Sequence, residues 1–231
     1  MSRNPKRVTA SPLRNFLIVV GVVVAGFFII TRLCVPFFIS GGGNADTRPL
    51  PGDAARFYPL AELDAIQEYA GANAELISID AYYVRSDGSI DLTVTSYYPY
   101  VSYQFVRELD EPPADAPPVG AGGSTSGTWY EPVEIRAYQP GQWRRVSGSS
   151  LSYTYMNQGM QREVDSPRAT LSSPIVPLPA CSYGDLWDVA LAQDAPAEAV
   201  AIIEYDANGY TFSISDVSLR LQFDLNCALR D

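Results

Sequence analysis

The sequence predicts an α+β protein: an N-terminal transmembrane helix, then two repeats of a helix plus an antiparallel meander, with the first sheet extended by an inserted hairpin. Three observations predict it. One apolar run near the N-terminus is long enough to cross a bilayer. Two later stretches share an order of amphipathic helix, alternating strand, Asp- and Gly-containing turn, and alternating strand. The 231 residues are 47% hydrophobic and 18% charged, a balance that supports a packed core and excludes wholesale disorder.

Residues 1–15 form a basic tail with Arg3, Lys6, Arg7 and Arg14. Residues 16–39 form the membrane segment. FLIVVGVVVAGFFII, from Phe16 to Ile30, holds no polar residue, and LCVPFFI continues after Arg32. At about 1.5 Å per residue this run extends about 36 Å, enough for a hydrocarbon core of about 30 Å with some tilt. Arg32 can snorkel to the boundary. The positive-inside rule then keeps the N-terminus cytoplasmic and the C-terminal domain extracytoplasmic, anchored to the cell membrane by a single pass. A cleaved signal peptide is the rival. Gly43-Asn44-Ala45 has small residues suited to cleavage, but the apolar run is long for a signal peptide's core of about 7–15 residues.

Residues 40–56, rich in Gly, Pro and charge, predict a flexible tether. The first repeat is assigned to 57–165. Pro59 opens a helix on which Leu60, Leu63, Ile66 and Ala70 share a face, and Gly71 closes it. Ile77, Ile79, Ala81 and Tyr83 alternate in a strand over 75–85. Ser86-Asp87-Gly88 signals a hairpin turn into a second strand over 89–96, where Ile90, Leu92 and Val94 alternate with polar residues. Val101, Tyr103 and Phe105 make a third. A Pro/Gly/Ser-rich segment predicts a mobile loop over 110–128, and Trp129–Val146 predicts the inserted hairpin, turning at Pro140-Gly141. Residues 166–180 are a Pro-rich linker. The second repeat, 181–231, opens with Ser182 and Asp185 in an N-cap arrangement. It continues through a helix to strands at Ala199–Tyr205, Tyr210–Ile214 and Leu219–Leu225.

This order, over about Pro59–Val106 and Cys181–Leu225, resembles the tandem modules of PepSY-like domains and of the β-lactamase-inhibitor-protein fold. The resemblance is one of topology and carries over no functional residue. It implies binding or inhibition rather than catalysis.

The residues point the same way. Histidine is absent, which removes the commonest general base and metal ligand. A net charge of −10 argues against nucleic acid as partner. No Gly-x-Ser-x-Gly elbow or phosphate loop occurs. Asp206-Ala207-Asn208-Gly209 and Ser86-Asp87-Gly88 lack the further acids of a calcium loop. No metal, cofactor or catalytic residue is therefore assigned. Outside the cytoplasm Cys181 and Cys227, bracketing the second repeat, predict a disulfide. The unusual feature is aromatic: Tyr82, Tyr83, Tyr97, Tyr98, Tyr100, Tyr103 and Phe105 lie close together, followed by Trp129, Tyr130, Tyr138 and Trp143. Rigid amphipathic rings favour interfaces. The candidate binding residues are Tyr97, Tyr98, Tyr100, Trp129, Trp143 and Arg144, on a non-catalytic interaction module for a protein or cell-envelope partner. The alternatives are a carboxylate-based extracytoplasmic hydrolase and a structural subunit of an envelope complex.

Overall fold

The structure, a computed structural model, describes residues 46–111, 113, 128–145, 153–156 and 158–230, and for 142–145 and 153–156 the backbone alone. The strands are β1 (Asp46–Pro49), β2 (Ala74–Val84), β3 (Tyr100–Leu109), β4 (Trp129–Tyr138), β5 (Gln142–Arg145), β6 (Tyr153–Met156), β7 (Gly159–Val164), β8 (Ala201–Asp206), β9 (Gly209–Ile214) and β10 (Leu219–Phe223). The helices are α1 (Leu63–Ala70) and α2 (Tyr183–Leu191).

The fold-class expectation is corrected here. Instead of two helix-plus-meander repeats, eight strands make one antiparallel sheet in the order β1-β7-β4-β3-β2-β8-β9-β10. The two described helices are short, at eight and nine residues, so the architecture is mostly sheet. The halves merge because β2 pairs with β3 on one edge and with β8 on the other. The expected transmembrane helix at 16–39 lies outside the described residues. Among the described residues no helix is long and apolar enough to cross a membrane.

The expected strand at 89–96 is also corrected. The Asp87 carboxylate accepts from the Ser89 N–H (3.0 Å) and hydroxyl (2.6 Å), and Asp91 does the same with Thr93 (3.0 and 2.5 Å). Such local bonds bend the backbone away from a ladder. Only Ile90 bridges, to Phe57, while β8 takes the β2 edge. The inserted hairpin over 129–146 does not close on itself either: β4 pairs with β3 and β7, and β5 pairs with β6 in a separate two-stranded sheet. The first helix starts at Leu63 rather than Pro59, because the N–H groups of Ala61 and Glu62 bond back to the Tyr58 carbonyl in turns. Part of the segment expected as a tether, Asp46–Pro49, pairs with β7. Most of the loop expected at 110–128 lies outside the described residues.

Alternation gives the large sheet two unlike faces. Register aligns Ile135, Tyr103, Ile79, Tyr205, Tyr210 and Phe223 across six strands, and all six are buried. Both helices cover this face. Leu63, Ile66 and Ala70 of α1 and Tyr183, Leu186, Trp187 and Ala190 of α2 recur at helical spacing and enter the same core. Trp187 meets Phe212 edge-on at 5.0 Å between ring centres. A reciprocal capping box starts α2: Ser182 Oγ accepts from the Asp185 N–H (3.1 Å), and the Asp185 carboxylate accepts from the Ser182 N–H (2.9 Å). Gly209 (φ +97) turns β8 into β9, where a Cβ would collide with the Phe223 carbonyl.

Cys181 and Cys227 are joined, with Cα atoms 6.0 Å apart, which agrees with the pairing expected from the sequence. The 166–180 segment is pinned at three places: Arg168 bridges Tyr130, the Val176 N–H bonds Leu76 O (2.8 Å), and the Tyr205 hydroxyl bonds Pro177 O (2.8 Å).

Candidate binding surface

The side chains that leave the core face of each strand build a second surface, which carries no helix among the described residues. Its middle row is polar across the whole sheet: Thr47, Gln161, Arg136, Ser102, Asp80, Glu204, Thr211 and Gln222 face one another in register. On one side of β2 this polarity is satisfied internally. Arg136 grips Glu134 through two bonds (2.5 and 2.7 Å), and Ser102 donates to the same carboxylate (2.6 Å). On the other side Asp80 faces Glu204 directly, a like-charge cross-strand pair. Burial, and then the charges of Glu204, Glu134 and Asp206, raise the Asp80 carboxyl above its ordinary range.

Tyrosines gather where β2 ends and β3 begins. A bulge between Tyr82 and Val84 breaks the alternation, and Tyr83 adopts φ +67. Tyr82 and Tyr83 are consequently both only half-buried, where strict alternation would have sent one of them into the core. Tyr82 stacks on Tyr100 at 4.5 Å with planes 20° apart, and Tyr83 packs on Tyr97 at 4.2 Å and 34°. The Tyr82 hydroxyl is raised above its usual range by its hydrogen bond to Tyr100, then by burial. Tyr98 is also left-handed, at φ +51. A bulky residue at positive φ costs of order 1–3 kcal/mol, and such strain concentrates at functional sites.

Of the residues assigned from sequence, Tyr97 and Tyr98 are exposed, at 38% and 52%, and Tyr100 stacks on Tyr82. Trp129 is half-buried opposite Leu109, at the far end of β3 from Tyr100. The side chains of Trp143 and Arg144 lie outside the described residues. Tyr82 and Tyr83 carry no sequence signal of this placement, because no residue pattern announces the bulge that leaves both half-exposed. Asp80 and Glu204 carry none either, since only the β2–β8 register brings them together.

A groove of about 180 Å³ opens at the other end of β2 and β3, lined by Ser78, Gln104, Val106, Tyr130, Arg168 and Ser172. Among the described residues no three of His, Cys, Asp and Glu converge as metal ligands. No protein-family profile, curated protein or solved structure matches this chain.

Proposed function

We propose that this chain is a non-catalytic binding module, held at the outer face of a membrane by its apolar segment 16–39, and that it takes a protein partner on the tyrosine-lined end of its sheet. The observation that carries the proposal is the pair of tyrosine stacks, Tyr82–Tyr100 and Tyr83–Tyr97, on a bulged backbone with two tyrosines at positive φ. Rings that brace one another are ordered before a partner arrives, so less entropy is lost on binding. The disulfide supports an oxidising compartment. The membrane segment would raise the effective concentration for membrane-bound partners. Asp80 and Glu204, which form no ion pair among the described residues, lie near Tyr82 and favour a partner presenting cations.

A carboxylate-based hydrolase has one observation in its favour, the raised Asp80 carboxyl beside Glu204. Among the described residues that pair lies on a sheet face, with no enclosed cleft around it of the kind substrates usually need.

The test is site-specific photocrosslinking in the native cell. A benzophenone amino acid in place of Tyr98 should give one discrete adduct, and the same label at Val217, an exposed site on the β9–β10 connection, should not. Tyr97→Ala/Tyr98→Ala should abolish the adduct from a label at Tyr83 while leaving thermal stability within about 1 kcal/mol. Equal labelling at both sites, or a collapse of stability, would overturn the proposal.

A further inference from the structure

We infer that residues 224–230 form a strap over a self-association edge of the sheet, and that the Cys181–Cys227 disulfide holds the strap shut. β10 is the terminal strand, paired inward with β9 from Leu219↔Ile214 to Phe223↔Tyr210. Backbone groups alternate in direction along an antiparallel strand. Gln222 O accepts from Arg230, so the N–H and C=O groups of both Gln222 and Arg220 point away from β9. Such an edge is a template for another strand unless something covers it.

Residues 224–230 cover the end of this edge nearest Phe223. The Asp224 carboxylate accepts from the N–H groups of Asn226 (2.8 Å) and Ala228 (2.9 Å), and Cys227 at φ +71 reverses the chain. The returning segment then lies beside the C-terminal end of β10, at residues 222–224. The Asp224 N–H bonds Ala228 O (2.9 Å), Leu229 bridges Phe223, and the Arg230 N–H bonds Gln222 O (2.8 Å). Few bonds hold the strap, and its residues 228–230 are exposed. Leu225 and Cys227 pack against the core, and the covalent attachment is to Cys181 beside the N-cap of α2. Cys181 is itself buried, and its N–H donates to the Tyr210 hydroxyl (3.3 Å).

With the strap lifted, the occupant that fits is a second copy of β10. Antiparallel pairing about a two-fold axis at Leu221 sets Arg220 opposite Gln222 of the second copy, so each pair exchanges both backbone bonds. Leu219 then faces Phe223 of the second copy, continuing the apolar row, and the two arginines are not opposed. The alternative centre at Arg220 would place like charges face to face. Opening requires a dithiol reductant. Its thiolate attacks the half-buried Cys227 sulfur in preference to the buried Cys181, forming a mixed disulfide. The second thiol then closes a cyclic disulfide, and two electrons and two protons leave Cys181 and Cys227 as thiols.

The test uses the full chain in detergent, with protein mass measured by light scattering after size exclusion across a concentration series. Two forms open the strap: dithiothreitol followed by iodoacetamide, and Leu229→Gly/Arg230→Pro with the disulfide intact. Both should double the mass relative to the oxidised native chain. Adding Arg220→Pro should return each to the starting mass, since it removes an outward N–H that β9 does not use. Unchanged mass in the strap variant overturns the inference, as does doubling that survives Arg220→Pro. Loss of the sheet in the strap variant, read by circular dichroism, also overturns it, because the strap would then belong to the core rather than cover an edge.

Discussion

Replacing Asp80 by Asn removes one of two carboxylates that face each other across the β2–β8 seam while keeping the side chain's shape. A like-charge cross-strand pair costs about 0.2–1 kcal/mol. Burial of Asp80 adds to that cost, so Asp80→Asn should stabilise the fold by about 0.5–1 kcal/mol at neutral pH. The sign follows from linkage. Asp80 is raised in the folded state above its ordinary value of 3.8. Its ionised form therefore opposes folding, fully at pH 7. The opposition fades as pH falls through the folded pKa and is gone below the unfolded one. The gain from Asp80→Asn should thus be present at pH 7 and absent near pH 3.5. In urea, with a slope of about 2 kcal/mol per molar, the midpoint at pH 7 should rise by about 0.25–0.5 M. Glu204→Gln should give a similar gain, and the double variant less than the sum, because either change alone relieves the shared repulsion. A loss of stability at pH 7, an equal gain at both pH values, or strict additivity would each refute the assignment.

Removing the disulfide with Cys181→Ser/Cys227→Ser opens a loop with a sequence separation of 46, and the chain-entropy relation puts the loss at about 4 kcal/mol. Calorimetry should register this as a fall in Tm of about 8–16 °C for a domain of this size. Ser182→Ala breaks the capping box of α2 and should cost about 1 kcal/mol in urea denaturation, whereas Ser182→Asp should restore most of it.

How much of this was legible in the sequence depended on the reach of each interaction. The elements α2, β8, β9 and β10 could be read because their signals are local: the Ser182–Asp185 cap, the alternation of Tyr210, Phe212 and Ile214, and the glycine turn at Gly209. The Ser89–Ser96 segment misled for an equally local reason. Ile90, Leu92 and Val94 alternate like a strand, yet Asp87 and Asp91 tie the backbone into turns, and alternation carries no information about that competition. The merging of the halves was not legible at all, since pairing Ile79 with Tyr205 leaves no mark near either residue. The candidate site divides the same way. The abundance of tyrosine was visible, and Tyr97 and Tyr98 are exposed. Trp129 fell away because distance along a folded strand, not nearness in sequence, decides which rings meet.

The seam between β2 and β8 also sets the order in which this protein can be made. β8, β9 and β10 are joined by short turns and can associate as soon as they emerge, and β3 can reach β2 early. The second edge of β2, however, stays open while everything between Val84 and Ala201 is still being synthesised. β1 waits in the same way for a partner 116 positions away, where Arg162 meets Asp46. Long-range pairing of this kind is slow, because loop closure comes before any contact rewards it. A strand that ends in the middle of the finished sheet therefore spends synthesis as an unprotected edge. The newly made chain carries an aggregation-prone edge at Ala74–Val84 until β8 arrives.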